Sequence, residues 1–553
     1  MRFFDGTTAC GGLAKTSPPA SQAPKIPRIS APTPSGTAGR VSATLRLHAA
    51  ETASTEHSGD TCFLDVVERT LCQARAAQST WATRTLLDRL RILKTLRQKI
   101  AANPRNLAAD VSRLKLSETL AAEVLPLLDA CRFLEIEAPR ILKENQLGTR
   151  ARPMWLWGTR VTLRPEPLGV VLIIGPANYP LMLPGIQILQ AVSAGNAVLI
   201  KPGTNGTAAI QTLVDLAAAS GLPADLIQIL PEDPLVAVTA MRCGVDKVFL
   251  TGAVTTGRAV RRELADAGTP AVMELSGCDA VFILDDADPE LASDCLLFGL
   301  TLNQSQTCMA PRRVFASDQM VDRVLLLVQK KIAAREGIDT IVRGEAARTA
   351  IEKIQDAVTA GAKLQSGQIN FSSGSPELRG VVVLDEVTIE MAVTRSDLFA
   401  PVLSFLRVRS EEQALRDHLK CPYALSATVF GSQARSLVFA RKIHAGCVVI
   451  NDMIVPTADP RVPFGGRGQS GHGMTRGEAG LLEMTQLKTI VSTRRWFKPH
   501  LQTPTPVDAD VLEQLIRIEH AAGVWQMLTA VPQMIKTTLA QLKFRKTLGE
   551  RKP

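Results

Sequence analysis

Val170-Val171-Leu172-Ile173-Ile174-Gly175-Pro176-Ala177-Asn178-Tyr179-Pro180 is the stretch on which the fold turns. Five consecutive apolar residues end at a Gly-Pro pair. A short apolar run that stops at turn residues reads as a strand buried on both faces. The pattern recurs downstream. Ala197–Ile200 runs into Lys201-Pro202-Gly203-Thr204, Val248–Leu250 runs into Thr251-Gly252, and Ile227–Leu230 is a further candidate strand. Ile210–Ala219 and Pro234–Met241 read as helices between them. Such alternation is the signature of βαβ units around a parallel sheet, so the fold class is α/β. The apolar stretch over 168–200 is no membrane span, because Pro176, Asn178, Pro180, Pro184 and Asn196 break it and a span needs ~20 uninterrupted apolar residues.

On the N-terminal side, Leu64, Val67 and Leu71, then Leu86, Leu90, Leu93 and Leu96, recur near the helical period, so 61–145 reads as packed helices. Arg160–Leu163 reads as a strand. Residues 1–60 carry Pro18, Pro19, Pro24, Pro27, Pro32 and Pro34 among small polar residues, and are expected to be a disordered extension. A second α/β region runs from about 277 to 450, with strands near Val281–Leu284, Arg313–Phe315, Val381–Leu384 and Val448–Ile450. The tail after 498 places Trp525, Leu528, Val531, Ile535, Leu539 and Leu542 on one helical face, and Pro532 is expected to start a second helix there. Lys536, Lys543, Arg545, Lys546, Arg551 and Lys552 follow against one acid, Glu550. Such a basic amphipathic segment can lie on an anionic membrane surface, on the protein's own body or on a second subunit.

The 553 residues carry a net charge of +10, with 46% hydrophobic and 21% charged residues, an ordinary globular balance. Residues 1–60 hold +2 and 496–553 hold +3, which leaves +5 for the body. Aromatics are 4%, too few for stacking platforms, so no nucleic-acid partner is expected. The ten Cys form no CxxC, which fits a reduced, cytoplasmic setting, with the tail as the part suited to a membrane surface. The seven His form no metal-ligand cluster, so no metal is expected.

There is no GxGxxG fingerprint, Walker A sequence or GxSxG elbow. A different series is present: Gly175-Pro176-Ala177-Asn178-Tyr179-Pro180, Lys201-Pro202-Gly203-Thr204, Thr251-Gly252 with Gly257, and Glu274-Leu275-Ser276-Gly277. Asn303-Gln304-Ser305-Gln306-Thr307-Cys308, Asp397-Leu398-Phe399-Ala400-Pro401, Asn451-Asp452 and Pro463-Phe464-Gly465-Gly466 complete it. In this order and spacing, from about residue 61 to about 495, the series resembles the NAD(P)-dependent aldehyde dehydrogenase superfamily. Glu274 and Cys308 stand 34 residues apart, the family's spacing for its glutamate and cysteine.

The resemblance implies a Rossmann-like cofactor domain over 61–276, with 150–166 contributing to a small oligomerisation β-segment. It further implies an α/β catalytic domain over 277–458, a return to the cofactor domain and bridge over 459–498, and a C-terminal extension over 499–553. Cys308 becomes the nucleophile, because oxidising an aldehyde needs a tetrahedral carbon from which hydride can leave, and a thiolate makes one. A free cysteine is more often an inert buried residue; the flanking Asn303 and Gln306 set Cys308 apart. Asn178 and the Cys308 N–H become donors to the oxyanion. Glu274 becomes the base that activates water against the thioester, a role that suits a desolvated carboxylate. Relatives that pass the acyl group to coenzyme A usually lack this glutamate, so hydrolysis to the free acid is expected.

By the same resemblance Pro176, Lys201, Thr204, Thr251, Gly252, Gly257, Leu275, Asp397 and Phe399 line the site for NAD or NADP. Thr204 stands where NAD-preferring members often carry Glu, so a 2′-phosphate is expected to be tolerated. Tyr179, Met182, Ile186 and Met309 line the aldehyde tunnel, and no Lys or Arg in those segments offers a clamp for a charged substrate, so the aldehyde is expected to be apolar. Strands near 150–166 and 484–493 are expected to pair between subunits of a homodimer or tetramer. Asp397 replaces a longer Glu, Ser276, Ser305 and Ala400 stand where Gly is common, and Ala253 where Ser or Thr is. Two rivals remain: acyl transfer to a thiol or reductive use of an acyl phosphate on the same scaffold, against which Glu274 argues, and a non-catalytic scaffold protein that binds the coenzyme, for which the departures at Asp397, Ser276 and Ala253 are the support.

Overall fold

The computed structural model describes residues 44–111, 115–334, 340–370, 376–494 and 498–547, with backbone alone for 44–62, 370 and 499. The chain divides into two compact units, Met1–Ser58 and Gly59–Pro553. In the first, residues 44–58 are helical, while 1–43, most of the extension expected to be disordered, lie outside the described residues.

In the second unit, Val170–Ile174 and Ala197–Lys201 are buried along their whole length, as the unbroken apolar runs require. They belong to a six-stranded sheet ordered Gly471–His472, Ala271–Leu275, Lys247–Gly252, Val170–Ile174, Ala197–Lys201, Ile227–Ile229. All neighbours are parallel except the first pair, where Gly471 faces Glu274. The chain builds outward from Val170–Ile174 on one side, then returns to lay Lys247–Gly252 on the other. That reversal opens a crevice at the carboxyl ends of these two strands, the place where such sheets bind ligands.

Helices Met182–Ala194 and Thr207–Ala218 are the crossovers between these strands, and Leu86–Ala102 and Leu125–Ile141 pack outside them. Leu86–Ala102 starts where the Thr85 side chain accepts the Asp88 N–H, and it buries Leu90, Leu93, Leu96 and Ile100 at helical spacing. Each such residue contributes about 1.5–3 kcal/mol of burial.

The second sheet runs Ile341–Arg343, Glu377–Asp385, Val402–Arg407, Pro311–Ala316, Asp279–Ile283, Ser426–Phe430, Cys447–Ile450, with Lys363–Asn370 paired beside Glu377–Asp385. Val402–Arg407 and Ser426–Phe430 are additions to the strands expected from sequence. Ser404, Ser426 and Thr428 dilute their apolar character, yet all three are buried. A third sheet joins Asn145–Gln146, Thr159–Pro167 and Thr485–Thr493 in antiparallel order. Here the two bridging strands pair with each other inside one chain, from Thr159–Thr493 to Pro167–Thr485. Leu487 and Val491 of the last strand are 59% and 62% exposed.

The tail forms two helices, Pro506–Glu519 and Val524–Thr547, packed together. Pro532 does not start a helix; it lies inside the second one. The seam between the helices is polar: Gln541 and Arg545 both donate to Asp508, the latter at 2.8 Å. The apolar face points away from it, with Trp525 83%, Leu528 52%, Ile535 57% and Leu539 55% exposed. Among the described residues no helix is long and apolar enough to cross a membrane.

Candidate active site

The crevice at the sheet reversal is lined by turns, because each buried strand must end in residues that leave the sheet. The turn after Val170–Ile174 carries Asn178 and Tyr179. Its side chains reach the loop before Cys308: Asn178 Nδ2 donates to the Gln306 carbonyl at 2.9 Å, and the Tyr179 and Thr307 hydroxyls lie 2.7 Å apart. Asn303 Nδ2 returns a bond to the Asn178 carbonyl at 2.9 Å. Glu123, wholly buried, accepts the Leu181 and Met182 N–H groups at 3.2 and 2.6 Å and so caps the helix that begins at Met182.

The loop before Cys308 is unusual in its backbone. Asn303, Gln304 and Ser305 have φ of 49°, 54° and 63°, three successive non-glycine residues in the left-handed region. Such conformations cost of order 1–3 kcal/mol each and persist only where surroundings enforce them. Arg312 does much of the enforcing. Its Nη1 donates to Ser305 Oγ at 2.7 Å and to the Ala400 carbonyl at 2.5 Å, and its Nη2 to the Ser305 carbonyl at 2.9 Å. Two of the departures from the family pattern thus have partners here. Ser305 answers Arg312, and Ser276 hydrogen-bonds Asp397, whose carboxyl is raised by burial and held back by Arg312 and Ser276.

Cys308 and Glu274 come together. Glu274 ends the Ala271–Leu275 strand, is 3% exposed, and has one carboxylate oxygen without a hydrogen-bond partner. Burial pushes it up to about 7, opposed by a hydrogen bond with Cys308 and by the charge of Arg476. Cys308 packs, partly exposed, beside Met309, Leu425 and Phe464. Burial first, then Glu274 and Asp279, lift its thiol well above the ordinary range, and Arg476 pulls it back.

Arg476 escaped the sequence reading. It is buried at the start of helix Gly477–Glu483, with its guanidinium carbon 4.6 Å from the centre of the Phe464 ring. It also lines a small cavity with Phe133, Leu134, Ile186 and Gln190. The one sequence signal was an arginine inside a glycine-rich segment, which looks like any surface charge. Of the expected tunnel residues, Ile186 faces this cavity, Met309 shares a buried apolar cluster with Leu425 and Phe464, Tyr179 is tied to Thr307, and Met182 opens the capped helix.

The expected coenzyme residues gather on the carboxyl edge of the first sheet. Lys201 is buried at the end of its strand, its amine lowered by that burial. Thr204 lies exposed in the following turn. Gly203 could carry no side chain, since a Cβ would stand 2.1 Å from the Pro176 carbonyl oxygen. A Cβ on Gly257 would meet Leu275 Cδ1 at 2.6 Å, whereas Gly252 meets nothing nearer than 3.6 Å, leaving room beside the chain. Thr251 is buried within reach of Gln187 Nε2 at 3.4 Å. Helix Val254–Ala265 starts there after Ala253 with no side-chain cap, so its first N–H groups are open to an anion. Asp397 and Phe399 stand in the loop that Arg312 ties to the loop before Cys308. This set fits a dinucleotide, which when bound supplies a hydride acceptor. Among the described residues no group of His, Cys, Asp or Glu could hold a metal ion.

Fold and site together define a coenzyme-linked oxidoreductase. The chain belongs to the aldehyde dehydrogenase family, whose model matches residues 52–490, and it acts on aldehydes with NAD or NADP. It is 29% identical to the 4,4'-diapolycopene aldehyde oxidase of a Methylomonas species over 78% of this chain and 84% of that one. It is 28% identical to the geranial dehydrogenase of Castellaniella defragrans, over 79% and 94%. Among solved structures it resembles the NADP-dependent glyceraldehyde-3-phosphate dehydrogenase of Bacillus halodurans in complex with NADP. That likeness has a TM-score of 0.70 at 26% identity, over 78% of this chain and 92% of that one.

Proposed function

We propose that the protein oxidises an apolar aldehyde to the free carboxylic acid. Cys308 adds to the carbonyl carbon, and the Asn178 amide and Cys308 N–H receive the oxygen's charge. After hydride loss a thioester remains on Cys308, and Glu274 takes a proton from the water that cleaves it. The observation that carries this reading is the buried Glu274 carboxylate held against the Cys308 thiol. An apolar substrate is supported by the names of the Methylomonas and Castellaniella relatives. The test is a panel of aliphatic, terpenoid and aromatic aldehydes with NAD and with NADP, each with and without coenzyme A. Free acid from the apolar members is expected. Dependence on coenzyme A, or turnover of charged semialdehydes alone, overturns the reading.

Two partners belong to the same proposal. The strand Thr485–Thr493, with Leu487 and Val491 exposed on it, is offered as the surface that joins subunits of a homodimer or tetramer. Light scattering of Leu487→Lys and Val491→Lys variants checks this, with loss of the oligomer expected. The outward apolar face of Val524–Thr547, a helix that also carries Lys536, Lys543 and Lys546 and no acid, is offered as an anionic membrane contact. Co-sedimentation with anionic liposomes is expected for the full chain. Equal sedimentation of a Trp525→Glu, Ile535→Glu double variant counts against it.

A further inference from the structure

Thr204 alone leaves the adenosine end of the crevice without the carboxylate that would turn away a 2′-phosphate. The structure brings one in from the neighbouring strand. Glu232 follows Ile227–Ile229 and reaches across to the turn beyond Ala197–Lys201. One carboxylate oxygen accepts the Asn205 N–H at 3.0 Å. The other accepts the Thr207 N–H at 3.2 Å and the Thr207 hydroxyl at 2.7 Å. The Thr207 hydroxyl, with help from the Asn205, Thr207 and Gly206 N–H groups, holds Glu232 below the usual carboxylate range, so it is charged at neutral pH.

These donors form a nest, successive N–H groups opening at the start of helix Thr207–Ala218, the kind of concavity that takes up an anion. The chain fills the nest with its own carboxylate. Asp233 stands beside it, capping helix Pro234–Arg242 through the Leu235 N–H at 2.8 Å. Lys201, the only Lys or Arg between Lys201 and Thr207 or between Leu230 and Pro234, feels both acids, which offset part of the lowering that burial imposes on its amine. The neighbourhood holds two acids against one base.

We propose that Glu232 is a built-in anion that makes the protein prefer NAD to NADP. A 2′-phosphate has to displace the carboxylate from its donors or sit beside it against like charge, whereas a ribose hydroxyl meets neither demand. This deepens the functional reading and rests on the coenzyme's lying along that edge, but its test needs no aldehyde.

The experiment is calorimetric titration of the full-length protein with NAD+ and, separately, NADP+, for the wild type and for Glu232→Gln, Glu232→Ala and Thr207→Ala. The wild type is expected to bind NAD+ at least about tenfold more tightly than NADP+. In Glu232→Ala the open nest becomes a phosphate site, and the ratio falls about tenfold or more through tighter NADP+ binding. Glu232→Gln, which keeps the size and loses the charge, moves the ratio the same way. Thermal melting of each variant reports whether the turn is intact. A wild type that binds NADP+ as tightly as NAD+ overturns the proposal. So does a Glu232 variant whose ratio is unchanged, including one that loses both coenzymes equally. Failure of the aldehyde panel, by contrast, leaves these binding ratios untouched.

Discussion

The Tyr179 hydroxyl lies 2.7 Å from the Thr307 hydroxyl, one residue past Asn178 and one short of Cys308. The side chain that is to receive the oxyanion and the one that is to attack are thus braced by their immediate neighbours. Both braces are buried. Tyr179→Phe leaves the Thr307 hydroxyl without this partner, at a cost of about 1–3 kcal/mol. A lowered Tm and a reduced kcat with little change in coenzyme KM are expected from melting curves and steady-state kinetics.

Glu274 titrates near 7 because it is buried. Below that pH it carries a proton and cannot take one from water, so kcat for acid formation rises with pH through about 7. Glu274→Gln keeps the first burst of NAD(P)H and slows later turnover by roughly 10²–10⁴-fold. Rapid-mixing kinetics separate the two phases. Stability follows with a definite sign. A folded pKa above the unfolded one favours the fold at low pH, and that contribution is lost as pH rises through the folded value. The Tm of Glu274→Gln therefore gains on the wild type between about pH 5 and pH 8.

Arg476 is the charge that draws both Glu274 and Cys308 back toward ionisation. Arg476→Gln moves the rising limb of the pH–rate profile to higher pH and slows alkylation of Cys308 by iodoacetamide near neutral pH. Arg476→Lys falls between the two. An unmoved profile in Arg476→Gln contradicts the expectation.

Arg312 holds Ser305 at two points and Ala400 at a third. A lysine keeps the charge but lacks the planar fork. Arg312→Lys leaves at least one buried carbonyl unsatisfied, costs about 1–3 kcal/mol in the melt, and lowers kcat more than it raises the coenzyme KM.

The central strands of the first sheet, Val170–Ile174, Ala197–Lys201 and Lys247–Gly252, were legible because each holds a compact apolar run that ends at Gly or Pro. Val170–Ile174 appears with the bounds its sequence suggests. Val402–Arg407 and Ser426–Phe430 were not, since their serines and threonine mask burial that only neighbouring strands create. Cys308, Glu274 and Asn178 stood out in the sequence because the order of motifs marks their places. Arg476 and Glu232 could not, since each matters through what a distant turn brings beside it: the nucleophile for one, the Asn205–Thr207 turn for the other. The outward set of the tail was equally hidden. Its apolar stripe was plain in Trp525 to Leu542, but which way it faces is decided by Asp508, Gln541 and Arg545.

The run of Asn303, Gln304 and Ser305 has a consequence for the life of the enzyme under heat. A segment kept in three disfavoured conformations is a drawn spring, and the clasp of Arg312 is its catch. When warming loosens the catch, the spring unwinds locally and carries Cys308 out of register with Glu274, while both sheets are still intact. Activity then disappears at a lower temperature than secondary structure does, and cooling restores it for as long as the sheets have not melted.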